Sequence, residues 1–269
     1  MSTHLLIIDP QNDFVARNGA LSVAGADADM DRLAALIRRK GAQIDAIHVT
    51  LDSHRILDVS HPRWWVDASG AHPAPFTVIS AADVESGRWT TADPAARDRT
   101  LAYLRTLDAG GRYPHVIWPE HCLIGDPGHN VWPALSAAIH EWERATGRLV
   151  DFVLKGMNPW TEHFSAVRAE VPDPTDATTD VNAALVADLE AADTVLVAGE
   201  ALSHCLLSTV EDLARSFADP ASTRKLVLLT DATSPVGDIG GATLFADRSR
   251  AFVANMQARG MQVATTVTA

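Results

Sequence analysis

Short apolar runs alternate with amphipathic segments along most of the chain. Each run ends abruptly in polar residues or glycine, which is typical of strands that a parallel sheet buries on both faces. The runs predict strands at residues 5–8, 46–50, 116–118, 152–154, 194–198 and 226–230, and an edge strand at residues 262–267. The segments between them predict helices at residues 27–41, 94–109, 131–146, 180–191, 205–218 and 242–260. This alternation predicts a three-layer α/β fold, in which helices cover both faces of a central, mainly parallel sheet.

One segment interrupts this rhythm. Residues 57–93 contain three prolines and the pair Trp64-Trp65, but no clear hydrophobic periodicity. Long irregular segments in compact domains usually carry function or cover a site. We therefore predict one domain over residues 1–269 with a loop-rich insertion at residues 57–93. Whether the chain forms a homo-oligomer stays open, and the apolar tryptophan pair could face a partner subunit or the pocket.

Composition narrows the classes of partner. The 269 residues carry a net charge of −12 that is spread along the chain, with no run of Lys and Arg. This argues against nucleic acids and anionic membrane surfaces as partners. No apolar stretch approaches the roughly 18 residues of a membrane span. The N-terminus lacks the pattern of a secretory signal, so we expect a cytoplasmic protein whose cysteines, Cys122 and Cys205, are free thiols rather than a disulfide.

Reactive side chains follow the predicted strands. In parallel sheets, ligands bind outside the carboxyl ends of the strands. The residues in those places are Asp9, Asp52, His54, His121, Lys155 and the segment 199–205. Cys205 would begin a helix, where the macrodipole and the free N–H groups favour a thiolate and an oxyanion hole. The alternative is a buried, inert cysteine, which Cys122 fits better because no base accompanies it.

Asp9 and Lys155 each follow a buried apolar run. Desolvation would raise the pKa of Asp9 toward a range useful for proton transfer, and Lys155 could stabilise an anion beside it. The alternatives are a turn-capping aspartate and a lysine that reaches solvent. Both would then be structural.

A second group of side chains has the composition of a metal site. Asp52 and His54 project to the same side of an extended segment, and His121 would join them from the next strand end. Two histidines and one carboxylate suit Zn²⁺, Fe²⁺ or Mn²⁺, although such a pair also occurs in ordinary loops. His61 and His72 lie in the insertion and could complete or cover this site.

Five ordered motifs within residues 5–210 resemble the isochorismatase-like cysteine hydrolases, and among these the nicotinamidases. Residues 6–14 match an opening apolar run followed by D-x-Q-N-D-F, and residues 52–54 match D-x-H. Residues 118–122 look like a W-P-x-H-C segment, and Lys155-Gly156 matches the family lysine. Residues 199–205 are similar to the nucleophile loop G-x-A-x-x-x-C. The resemblance implies the isochorismatase-like hydrolase fold.

The resemblance also implies roles for individual residues. It implies a catalytic triad of Asp9, Lys155 and Cys205, with a non-proline cis peptide at Glu200-Ala201 and oxyanion donors from the N–H groups of Ala201 and Cys205. The implied metal ligands are Asp52, His54 and His121, with Zn²⁺ as the first candidate and Fe²⁺ or Mn²⁺ as alternatives. Phe14 and Trp118 would be the aromatic walls for a small-molecule amide.

The implied reaction is the hydrolysis of nicotinamide to nicotinate and ammonia through a cysteine thioester, as part of pyridine nucleotide salvage in NAD metabolism. The chain departs from the family pattern in its charged Glu200 and in the insertion at residues 57–93. A related hydrolase that acts on another amide, carbamate or ureide with the same triad is therefore the alternative. A catalytically silent binding protein with this fold is a further one.

Overall fold

A six-stranded parallel sheet forms the centre of the computed structural model, which describes residues 1–237 and 244–269. Its strands are β1 (Thr3–Ile8), β2 (Ala46–Asp52), β5 (Asp151–Lys155), β6 (Thr194–Gly199), β7 (Leu226–Leu229) and β8 (Gln262–Ala264). They lie in the order β5-β2-β1-β6-β7-β8. The helices are α1 (Asn12–Val15), α2 (Ala26–Lys40), α3 (Ala81–Glu85), α4 (Arg97–Gly110), α5 (Pro133–Thr146), α6 (Ala183–Ala191), α7 (Cys205–Ser216) and α8 (Leu244–Ala258). The predicted α/β architecture is confirmed.

The central strand β1 supplies side chains to two cores. Leu5 and Ile7 pack with α2 and α5 on one face of the sheet. Leu6 and Ile8 pack with α6, α7 and α8 on the other face. Successive residues of a strand point to opposite faces, so an unbroken apolar run serves both cores at once. The three layers follow from this pattern.

The parallel register brings the ends of the inner strands to one edge of the sheet. Ile8 of β1 is paired with Gly199 of β6, and Asp52 of β2 is paired with Lys155 of β5. The residues that follow these pairs therefore share one edge. The reactive side chains that follow these strands therefore lie near one another in the structure.

Two predicted elements differ in the structure. The strand expected at residues 116–118 is wrong, since Val116 forms only an isolated bridge with Val78. Residues near it bond to the insertion instead: Ile117 N–H donates to Thr77 O, and Ile79 N–H donates to His115 O. The last strand is shorter than predicted and ends at Ala264. The predicted start of the last helix, at residue 242, lies outside the described residues.

The insertion and α4 together form a third, smaller core. The insertion contains α3, which starts with a capping box between Ser80 and Asp83, and the two-stranded ribbon of β3 (Trp65–Val66) and β4 (Thr90–Thr91). Trp65 is fully buried against α4, and the Trp64 ring meets Trp160 edge-on with centroids 4.8 Å apart. The expectation that this tryptophan pair faces the pocket or a partner is therefore wrong, because both rings are buried.

None of the helices in the described ranges combines the length and the hydrophobicity that a transmembrane span requires.

Buried His115 makes the stability of the insertion core depend on pH. Its Nε2 lies 3.0 Å from Val59 O, and burial lowers its pKa to about 4. An unfolded histidine binds its proton near pH 6.5, so the folded protein should lose stability as pH falls from 6.5 toward 4. The shift corresponds to roughly 3 kcal/mol. Urea unfolding at pH 7 and at pH 5 measures this effect. Between these pH values the free energy of unfolding should fall less in His115→Gln than in the wild type.

Exposed His140 on α5 provides the control, and His140→Gln should keep the wild-type loss. An equal loss of stability in His115→Gln and in the wild type would contradict the prediction.

Candidate active site

The ammonium group of Lys155 lies between two carboxylates at the sheet edge. Its Nζ is 2.9 Å from Oδ2 of Asp9 and 2.9 Å from Oδ1 of Asp52. It also donates to His163 O at 3.1 Å and lies 3.6 Å from Sγ of Cys205. The two carboxylate oxygens have no hydrogen-bond partner in the described part of the chain, so the ion pairs alone compensate their burial. The lysine is buried and does not reach solvent.

Local structure fixes the side chain of Asp9, the predicted base. Asp9 follows β1 and is held by Thr50 of β2, whose hydroxyl donates to Asp9 Oδ1 at 2.5 Å and accepts from the Asp9 N–H at 3.0 Å. Asp9 has a φ of 41°, a conformation that residues other than glycine rarely adopt. The side chain is thereby held at the edge of the sheet rather than in a turn at the surface.

The predicted nucleophile begins α7. Cys205 follows a loop that contains a cis peptide between Glu200 and Ala201, where the resemblance implied one. Both cysteines are buried, free thiols. The side chain of Cys122 is fully buried in the α2–α5 core, whereas Cys205 lines a pocket. The two thiols therefore lie in different environments, as their sequence contexts suggested.

Burial governs the protonation of these groups. It raises the pKa of the Cys205 thiol well above its ordinary value, and the nearby charge of Lys155 does not offset this. Burial also raises the pKa of Asp9, against the opposing charge of Lys155. Burial alone would lower the pKa of Lys155, but the carboxylates of Asp52 and Asp9 hold it above its ordinary value. The resting cysteine is thus a thiol, not the thiolate that a helix N-terminus favours, and it needs a base.

Asp52 also belongs to a second group, with His54 and His121. Its Oδ2 lies 3.1 Å from Nε2 of His54 and 3.5 Å from Nε2 of His121, and all three side chains are buried. Their candidate ligand atoms lie within 4.8 Å of one another. Nε2 of His54 has no hydrogen-bond partner among the described residues. Such an orphaned nitrogen beside a carboxylate fits a divalent cation bound by two histidines and one carboxylate.

Outer contacts orient both histidines of this group. Nδ1 of His54 lies 3.0 Å from Oδ2 of Asp58, and Nδ1 of His121 lies 2.8 Å from Pro119 O. Each ring can donate its Nδ1–H to these oxygens, which leaves Nε2 as the ligand atom. Asp58 was not singled out from the sequence.

The two histidines of the insertion have different places. His61 Nε2 lies 3.3 Å from Nδ1 of His121, and its own Nδ1 lies 3.0 Å from Arg55 O. His61 therefore contacts Nδ1 of the candidate ligand His121, and it is not one of the three grouped residues. His72 bonds to Trp65 O and to Arg63 and lies apart from the group.

A pocket opens onto the thiol and the metal group. Of the predicted residues it is lined by Phe14, Asp52, Trp118, His121, Ala201 and Cys205. It is also lined by Glu162, Phe164 and His204, which sequence reasoning did not single out. Their only signal in the sequence is nearness to Lys155 and Cys205. The aromatic walls suit a flat ring.

The fold can be compared with known proteins. No protein-family model and no curated protein sequence matches the chain significantly. Among solved structures, the Acinetobacter baumanii nicotinamidase/pyrazinamidase is similar, with 20% identity and a TM-score of 0.63 over 99% of this chain and 97% of that one. The chain has the isochorismatase-like fold of the nicotinamidases. This confirms the fold that the motifs implied.

Two further structures share this nicotinamidase fold. The yeast nicotinamidase Pnc1p bound to the inhibitor nicotinaldehyde is 18% identical, with a TM-score of 0.64 over 98% of this chain and 99% of that one. The Pyrococcus horikoshii pyrazinamidase in complex with zinc is 16% identical, with a TM-score of 0.56 over 98% and 99%. At such identities the likeness establishes the fold.

Substitution of a candidate ligand tests the metal group. His121→Gln keeps both ion pairs of Lys155 but removes one ligand nitrogen, so it should lower Zn²⁺ affinity at least about 100-fold. Calorimetric titration of metal-free protein and elemental analysis after dialysis measure this change. His72→Gln is the matched control and should bind one Zn²⁺ per chain like the wild type. Equal affinity in both variants would contradict the assignment.

Proposed function

We propose that the chain is a cysteine amidohydrolase that converts nicotinamide and water to nicotinate and ammonia. The observation that carries this proposal is the convergence of a thiol, a carboxylate and an ammonium beside a metal group in one pocket. Nζ of Lys155 is 3.6 Å from Sγ of Cys205 and 2.9 Å from Asp9. The nicotinamidase fold and the aromatic walls of the pocket support the same substrate.

Asp9 is the base in this proposal. Burial raises the pKa of the Cys205 thiol, and the ammonium of Lys155 contacts both its sulfur and Asp9, so the carboxylate can take the thiol proton as the sulfur attacks the carboxamide carbon. A C–S bond forms and the carbonyl oxygen becomes an oxyanion. The N–H groups of Ala201 and Cys205 are the proposed donors to it.

The second half of the reaction reverses the proton transfer. Asp9 gives its proton to the leaving nitrogen, the C–N bond breaks, and ammonia departs from a thioester. Asp9 then takes a proton from water, and the hydroxide attacks the thioester carbon. The C–S bond breaks, the acid is released, and Asp9 returns the proton to the sulfur, which regenerates the free thiol. Lys155 keeps its charge throughout and stabilises the ionised form of Asp9.

Asp52, His54 and His121 are the proposed ligands of the metal. A divalent cation, Zn²⁺ first among the ions that this set accepts, would supply a Lewis acid that orients the ring and withdraws electron density from it. Phe14 and Trp118 would hold the ring between them.

Ammonia release from nicotinamide tests the proposed activity. The wild type should release ammonia, and Cys205→Ala should reduce the rate to background because no thioester can form. Cys122→Ala is the matched control, since it removes the other buried thiol and should keep the activity. Full activity in Cys205→Ala would exclude the mechanism.

Asp9→Asn tests the base separately. The amide cannot accept the thiol proton, so kcat/KM should fall by about 10² to 10⁴-fold. Thr50→Val removes only the hydroxyl that holds Asp9 and should cause a smaller loss. Thermal unfolding measured by circular dichroism shows whether both variants are folded. An equal loss in the two folded variants would assign Asp9 to structure rather than proton transfer.

A further inference from the structure

Glu162 is a buried carboxyl group in the wall of the pocket. It lies on the loop after β5, is 6% exposed and lines the same cavity as Cys205 and Trp118. Neither the proposed triad nor the metal group uses it. A charged group in this mostly apolar wall requires a partner, because burial of an unpaired charge is costly.

The protein satisfies this carboxyl group only in part. Oε2 accepts from Nε1–H of Trp118 at 3.1 Å, and Oε1 accepts from the N–H of His163 at 3.1 Å. A carboxylate can accept about four hydrogen bonds, so about two acceptor positions are left. Within residues 1–237 and 244–269, Glu162 forms no ion pair with a Lys, Arg or His side chain. The remaining capacity is available to a molecule in the pocket.

The surroundings of Glu162 disfavour its ionised form unless a further hydrogen-bond donor is present. Burial raises the pKa of Glu162 to about 7, although the nearby His54 opposes this, and Asp52 and Asp58 add to it. Both oxygens already accept from N–H groups, so the protein presents the group as an acceptor. A ligand with an N–H donor would complete its hydrogen bonds without placing a further charge in the wall.

We propose that Glu162 is a specificity-determining residue that accepts a hydrogen bond from a donor on the substrate ring. The favoured substrates are then heteroaromatic carboxamides that carry an amino group or another N–H donor in addition to the amide. This inference rests on the proposed function, since it places the substrate in the same pocket. A site built to bind a donor discriminates strongly against an analogue that lacks it.

Substituted nicotinamides test the inference. Each ring-aminated isomer is compared with the methylated isomer at the same position, which has similar size but no donor. At a pH of about 8 most of the Glu162 population is ionised. We expect at least one position where kcat/KM for the amino compound exceeds that for the methyl compound. In Glu162→Gln this ratio should fall about tenfold.

Two further variants separate selection from packing. Trp118→Phe removes the indole N–H but keeps an aromatic ring, so activity should fall on both compounds while the ratio persists. Glu141→Gln makes the same chemical change on the exposed side of α5 and should leave the ratio unchanged. If Glu162→Gln lowers kcat/KM equally for both compounds, Glu162 only holds Trp118, and the inference is overturned. The second ring nitrogen of pyrazinamide accepts a hydrogen bond and cannot donate one. A preference for pyrazinamide over the amino compounds would therefore indicate that Glu162 donates, and it would also overturn the inference.

Binding distinguishes this inference from the proposed function. Calorimetry on zinc-loaded Cys205→Ala, with and without Glu162→Gln, measures the ratio of binding affinities for the same pairs of compounds without turnover. A ratio that depends on Glu162, in an enzyme that hydrolyses none of the amides, would refute the proposed function and uphold the donor site. Hydrolysis of nicotinamide with equal binding of amino and methyl compounds would do the reverse.

Discussion

The ion pairs of Lys155 with Asp9 and Asp52 connect the two halves of the site. One carboxylate is the proposed base for the thiol, and the other presents its second oxygen to the histidine group. Removal of one partner from a buried pair typically costs about 3 to 5 kcal/mol, because the other charge stays buried without compensation. Here two carboxylates would lose their cation together. The geometry of the base and that of the metal group therefore depend on one ammonium group.

Burial, and to a smaller extent the nearby charges, explain why the thiol is protonated at rest. The carboxylates of Asp9 and Asp52 against the ammonium of Lys155 give a formal charge of −1, which disfavours a further anion on Cys205. A divalent cation bound by the metal group of Asp52, His54 and His121 would make the sum of these charges positive. Bound ions are often the largest local charges and reverse such pKa arguments. We infer that the metal group and the nucleophile are coupled electrostatically as well as through Asp52.

The sheet edge was predictable, and the loops were not. Asp9, Asp52 and Lys155 follow apolar runs, and parallel pairing necessarily collects the residues at strand ends. Residues 116–118 look like such a run, yet the insertion competes for their backbone groups, and no local pattern reveals this. Glu162 and His204 occupy irregular loops where periodicity carries no information. Trp64 and Trp65 were misread because an isolated apolar pair does not show which core it joins.

The proposed catalytic residues and the residues that would select the substrate come from different parts of the fold. The groups that would break the amide bond come from strand ends and a helix start, whose places the parallel sheet and α7 fix. The side chains that would distinguish one amide from another, Glu162 and Phe164 among them, come from a loop whose course the sheet does not fix. Glu162 is also bonded to Trp118, a wall residue from a different loop. A change in either loop would alter both the width of the pocket and the position of the Glu162 carboxyl group, so the proposed chemistry can persist while the preferred substrate changes.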